Sequence, residues 1–144
     1  MTEYIDGLRI LLKYKLKGGI FLKKIIIILI HSFVGWAFCA AIMGIGPQLT
    51  SMKTTLVVHL ILGPIGFGLL STFYHKKFGY TRPIVTASIF LLFVAGMDFF
   101  LVGLVILKSL KMFTSVIGIW LPFGLIFIFS FGGGVWVKKN KQKT

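Results

Sequence analysis

The stretch Ile84–Leu107, IVTASIFLLFVAGMDFFLVGLVIL, decides how this chain is read. It is apolar for long enough to cross a bilayer, since about 20 residues at 1.5 Å each match a hydrocarbon layer of roughly 30 Å. Inside it sits Asp98, the only acidic residue after Asp6. A carboxylate in hydrocarbon costs roughly 2.5–3.5 kcal/mol even on lenient insertion scales, so such a residue faces a bundle interior and takes a partner. Asp98 is therefore the first candidate for a functional group.

Three further runs share this character: Ile20–Ile45, Thr54–Phe73 and Met112–Val137. With 57% hydrophobic residues and a mean hydropathy of +0.97, the chain is too apolar for a soluble domain of 144 residues and has room for one compact unit. In lipid every backbone group must be satisfied within its own segment, so runs of this length read as helices. The expected fold is all-α, a polytopic bundle of four transmembrane helices over residues 20–137 (20–45, 54–73, 84–107 and 112–137). A basic amphipathic segment at 1–19 precedes it and a basic tail at 138–144 follows.

A net charge of +13 resembles that of a nucleic-acid binder until the charges are mapped. The leader carries Arg9, Lys13, Lys15, Lys17, Lys23 and Lys24; the second connection carries Lys76, Lys77 and Arg82; the tail carries Lys138, Lys139, Lys141 and Lys143. The first and third connections hold only Lys53, and Lys108 with Lys111. The positive-inside rule then places both termini in the cytoplasm of a multi-pass plasma-membrane protein. The basic clusters attract anionic headgroups of the bilayer. No interleaved base-stacking pattern accompanies them, so nucleic acid is not an expected partner.

In the leader, Ile5, Leu8, Leu12 and Leu16 share one helical face and Asp6, Arg9, Lys13 and Lys17 the other, with Lys15 intruding on the apolar border. This predicts a short helix on the cytoplasmic leaflet, ended by a break at Gly18-Gly19. A cleaved signal peptide fits poorly, because the basic region is long and the apolar run exceeds the usual length. Gly44-Ile45-Gly46-Pro47-Gln48 predicts the first outer turn, with Thr50-Ser51 capping the next helix and Pro83 opening the third. Tyr74, Phe78, Tyr80 and Trp136 read as an interfacial belt. The short connection at Lys108–Lys111 makes the third and fourth helices antiparallel neighbours.

Depth sharpens the site. Counted from the outer ends of their helices, Trp36, His59, Asp98 and Trp120 lie about 13, 8, 13 and 12 Å below the boundary, one residue from each helix in nearly one layer. Trp36 and Trp120 are too deep for the belt, which predicts burial between helices. Asp98 and His59 form the pair of interest: together they could hold a proton, orient a ligand, or simply neutralise two costly groups. His31 is a secondary candidate, on a stripe with Gly35 and Cys39 where small residues permit close helix approach. Haem between His31 and His59 is opposed by their vertical separation of roughly 12–15 Å. No clustered His/Cys/Asp spacing points to a metal, and Cys39 stands alone without a disulfide or redox pair. No cofactor is expected. Pro64 and Pro122 each remove a helical hydrogen bond near this layer, freeing the carbonyls of Leu60 and Gly118. Gly66, Gly68, Gly96 and Gly103 read as packing positions.

The runs His31-Ser32-Phe33-Val34-Gly35-Trp36-Ala37, His59 to Gly63-Pro64-Ile65, Met97-Asp98-Phe99-Phe100 and Gly118-Ile119-Trp120-Leu121-Pro122-Phe123 resemble those of small four-helix prokaryotic integral membrane proteins. The resemblance covers about residues 28–130 and implies the fold without an activity. Better-known four-helix families fit less well. Small multidrug exporters carry a glutamate in the first helix, and their dual-topology members need a weak charge bias. Vitamin K reductases need cysteine pairs, and membrane glutathione transferases carry Arg/Asn/Glu signatures in a second helix that here has none.

Three functions compete. The first is a small transport or ligand-binding bundle, homo-oligomeric because four helices of this length enclose little space, with Asp98 and His59 at its polar centre. The second is a non-catalytic membrane partner subunit docking through the basic leader and tail. The third is a membrane enzyme acting on a lipid or quinone with His59 as acid or base, which ranks behind the others for want of a second acid or a nucleophile.

Overall fold

The computed structural model describes residues 2–106, 108, 114 and 116–143. Among them the fold is all-α, with four helices long and apolar enough to cross a membrane, spanning Gly18–Leu49, Met52–Lys77, Pro83–Ile106 and Leu121–Lys141. Helix α1 comprises Thr2–Leu49, α2 Met52–Lys77, α3 Pro83–Met97 and α4 Leu121–Lys141. The third span continues from α3 as a π-helix over Asp98–Ile106, and a π-helical turn at Val116–Trp120 leads into α4. Most of the third connection, Ser109 to Lys111, lies outside the described residues.

Two expected boundaries move. The leader is helical, but there is no break at Gly18-Gly19: α1 runs on for 48 residues, about 72 Å at 1.5 Å per residue. Glycine lowers helix propensity by only about 1 kcal/mol, which a long apolar continuation in the span offsets. The side chains of residues 10–17 lie outside the described set, while Ile5 and Leu8 of the anticipated apolar face are exposed. At the other end, Gly44–Gln48 is the last turns of α1, not a loop. Proline fits a helix backbone angle and costs only the one bond to the carbonyl of Met43, while the helix end is closed by Thr50 N on Gly46 O at 2.9 Å and by Gln48 Nε2 on Gly44 O at 3.0 Å. The turn is Thr50-Ser51, and Ser51 Oγ caps α2 by accepting from Thr54 N at 3.2 Å.

At the opposite end α2 stops at Gly79, whose φ of +57° lets its N–H turn back to Tyr74 O at 3.0 Å. Lys141 of α4 then reaches the orphan carbonyls of His75 at 2.9 Å and Lys76 at 3.2 Å. A cation at a helix C-terminus also complements the backbone dipole. Pro83 opens α3 at its first turn, where a missing N–H costs nothing. Pro122 likewise falls in the first turn of α4, so a register change from π to α, not a mid-helix kink, accommodates it.

The core is Ile28, Cys39, Phe67, Tyr74, Phe90, Val94, Ile119, Phe123 and Ile126, while Leu69, Leu92 and Phe100 point outward as lipid-facing residues do. Small residues bring the helices together. A Cβ on Gly133 would lie 2.6 Å from Gly68 O, and one on Gly35 would lie 2.5 Å from the Phe67 ring. Gly68 packs as anticipated, its Cβ position 3.3 Å from Phe129 O, whereas Gly96 faces open space. Tyr74, anticipated in the interfacial belt, is fully buried; Tyr80 and Trp136 are exposed, as a belt requires.

Candidate functional site

Asp98 sits where α3 gives way to the π-helix, its N–H shared between the carbonyls of Ala95 and Val94. A π-helical segment widens the backbone turn and re-aims the side chains that follow, and such segments concentrate at functional positions. Here it begins at the one carboxylate inside the spans. Asp98 Oδ1 accepts a hydrogen bond from Trp36 Nε1 at 3.0 Å, linking the first and third spans. Trp36 is held in turn by Phe33 on its own helix, ring centroids 5.9 Å apart, and packs on the core. The two residues share a layer, as their depths require.

Whether His59 meets Asp98 was open from the sequence; among the described residues the two share no hydrogen bond or ion pair, and the donor to Asp98 is Trp36. Cys39 and His59 flank Gly63. A Cβ on Gly63 would be 3.3 Å from Cys39 Sγ and 3.7 Å from His59 Nε2. The polar centre is thus the Trp36–Asp98 pair, with Cys39 on the same face of the first helix as Trp36. The i, i+3 spacing of Trp36 and Cys39 was the available signal for the thiol, because residues so spaced share a helix face.

Trp120 departs from expectation. It is 58% exposed, edge-on to Phe123 at 6.4 Å, on the outside of the bundle instead of between helices. Its position at the end of the π-helical turn, one residue before α4, carries it outward, while Ile119 takes the buried position. His31 is half-buried in an aromatic surround, against Phe73, Tyr74 and Phe78 at 6.1, 5.5 and 5.6 Å, and Nδ1 bonds Ile27 O at 2.7 Å. That donor is a backbone-satisfied imidazole packed on rings, distant in character from the Asp98 centre.

A second polar cluster escaped the sequence reading. His75 is 2% exposed; Nδ1 bonds Ser71 O at 2.8 Å and Nε2 meets Thr86 Oγ1 at 3.3 Å. Thr86 joins Thr81 at 2.7 Å, Thr81 donates to Tyr74 Oη at 3.2 Å, and Ser71 Oγ donates to Ser130 O at 2.6 Å. This chain of bonds ties α2, the following turn, α3 and α4 together. His75 stands next to Lys76-Lys77 and so reads as part of a solvated basic turn. The Ser71/His75 spacing of one helical turn was the only hint that it points inward.

Among the described residues no three of His, Cys, Asp and Glu converge as metal ligands. One groove, of about 300 Å³, is lined by Ile26, Leu29, Ile30, Phe33 and Phe93. Another, of about 460 Å³, lies between the start of α3 and the end of α4. Both open outward and neither reaches Asp98. Chemically, the Asp98 centre offers an acceptor carboxylate held on one oxygen. No family model, no curated protein and no solved structure matches the chain.

Proposed function

We propose that this is a small plasma-membrane transport or ligand-binding protein, with both termini cytoplasmic, whose polar centre at Asp98 takes up a proton or a cationic ligand. The observation that carries the reading is the Trp36–Asp98 bond at the α-to-π junction. One indole hydrogen bond offsets only part of the cost of a carboxylate at that depth, so the group is retained for more than helix pairing. Among the described residues only Oδ1 takes a hydrogen bond, which leaves Oδ2 for a ligand. Four helices of this length enclose little space, so in this reading a second copy completes the wall of the pathway. The basic residues cluster at the ends of the spans assigned to the cytoplasm, which supports the orientation.

The test uses purified protein in liposomes with an entrapped pH-sensitive dye and an imposed potential. Wild type should pass protons or a supplied organic cation; Asp98→Asn should abolish this with its melting temperature preserved, and Asp98→Glu should retain part. If Asp98→Asn only lowers the melting temperature, the reading fails. Orientation is checked separately by labelling Lys143→Cys in a Cys39→Ser background, where an impermeant maleimide should react only after the cytoplasmic face is exposed.

A second reading, a non-catalytic partner subunit, is favoured by the N-terminal part of α1. Ile5 and Leu8 are exposed there and Gly7 has nothing within 4 Å, so the described part of the apolar face is open to a partner. Gentle solubilisation followed by co-purification distinguishes it: a stoichiometric partner lost on deleting the leader supports this reading, and a homo-oligomer alone opposes it.

A further inference from the structure

The groove of about 460 Å³ between α3 and α4 is lined by Arg82, Pro83 and Ile84 on one side and Phe131, Val135, Lys138, Lys139 and Gln142 on the other. On α4 these residues fall in one stripe, at intervals of three or four, and their chemistry changes along it. Phe131 and Val135 come first, then the paired lysines, then the Gln142 amide. From Phe131 to Lys138 the rise is about 10 Å at 1.5 Å per residue, so an apolar floor passes within that length into a cationic rim. On α3 the same order holds in reverse, Ile84 lying deeper than Arg82.

The cations in this groove differ from their neighbours. Lys141 is committed to the end of α2; Lys76 lies over the Trp136 ring at 5.4 Å, Lys24 over Tyr80 at 5.5 Å, and Lys77 over Phe73 at 5.8 Å. The Arg82, Lys138 and Lys139 side chains have no hydrogen-bond, ion-pair or ring partner among the described residues. Among the described residues no acidic side chain pairs with them, Asp6 lying in the leader and Asp98 deep in the third span. Arg82 also stands at the N-cap of α3, where the backbone dipole adds positive potential.

We infer that this groove is a binding site for an anionic phospholipid. Its phosphate is held by Arg82, Lys138 and Lys139, its polar backbone by Gln142, and its acyl chain lies over Ile84, Val135 and Phe131. Three unpaired cations call for an anion, and an apolar floor continuous with the lipid-facing surface calls for one with a hydrocarbon tail. A lipid seated there bridges α3 and α4, and so holds the third span, which carries Asp98, against the fourth.

The experiment is native mass spectrometry of the purified protein in detergent supplemented with phosphatidylglycerol or phosphatidylcholine. Phosphatidylglycerol should be retained at one molecule per chain and phosphatidylcholine should not. The triple variant Arg82→Gln, Lys138→Gln, Lys139→Gln should bind more weakly by at least about tenfold, as the loss of three headgroup cations demands. A charge-matched control, Lys53→Gln, Lys108→Gln, Lys143→Gln, should bind as wild type. Val135→Trp fills the floor and keeps every charge, so it should weaken binding as well and serves if the triple variant fails to fold. Equal loss in the control, equal retention of phosphatidylcholine, or displacement of the lipid by inorganic phosphate at comparable concentration would each overturn the site.

Discussion

Trp36 Nε1 lies 3.0 Å from Asp98 Oδ1, and this bond is the only hydrogen bond between side chains of the first and third spans among the described residues. It gives the lone intramembrane carboxylate a donor that is itself uncharged. The arrangement holds Asp98 in place without supplying a countercharge.

Replacing Trp36 with Phe removes the donor and keeps most of the packing. Bonds of this kind inside membranes are worth about 0.6 kcal/mol on average and reach about 1.7, so Trp36→Phe should cost on the order of 1 kcal/mol in unfolding from mixed micelles. Asp98→Asn keeps an acceptor oxygen and should cost less than Trp36→Phe. A double variant no worse than Trp36→Phe alone would show the two changes report one bond; full additivity would remove the bond from the account.

The α2–α4 contact should be intolerant at Gly133 and tolerant one residue earlier. A Cβ on Gly133 meets Gly68 O at 2.6 Å and Thr72 Oγ1 at 2.8 Å, whereas Gly132 has nothing within 4 Å. Gly133→Ala should therefore destabilise by about 1–3 kcal/mol through overpacking. Gly132→Ala should be neutral or stabilise by up to about 1 kcal/mol through helix propensity. Thermal melts of the two proteins decide it, and equal shifts would contradict the helix contact described here.

In the buried cluster, two hydroxyls should behave oppositely. Thr86→Val keeps the shape but leaves His75 Nε2 without its partner, at a cost of about 1–3 kcal/mol. Ser130 Oγ is buried with no hydrogen-bond partner among the described residues, and its residue contributes through its carbonyl, which takes the bond from Ser71. Ser130→Ala should accordingly leave stability unchanged or raise it. Chemical denaturation in detergent of both variants would expose the difference.

Lys141→Met should release the carbonyls of His75 and Lys76 that the ammonium now serves. The expected loss is about 0.3–1 kcal/mol, confined to the end of α2. Hydrogen exchange should accelerate at the Phe78 and Gly79 amides, which close that turn, and remain unchanged in α3. Acceleration throughout the bundle would mean the contact is global instead.

Much of this structure could be read from the chain alone. The four spans follow from length and hydropathy, because a bilayer fixes how long an apolar run must be and lipid forbids unsatisfied backbone. Ser51 and Pro83 mark helix starts through chemistry local to a turn. The shared depth of Trp36 and Asp98 follows from rise per residue. Each of these depends on distance along the helix axis, a quantity that sequence counts directly.

What only the tertiary structure decided is rotation about that axis. In a soluble protein a polar face shows which side is outward; in these spans lipid and helix neighbour are equally apolar, so hydrophobicity carries no such sign. Trp120 therefore turned out to face outward and Tyr74 inward, and Asp98 met Trp36 instead of His59. His75, beside two exposed lysines, points into the bundle because Ser71 and Gly134 leave it room there. Depth was written in the sequence; facing was set by which small residues let two helices touch.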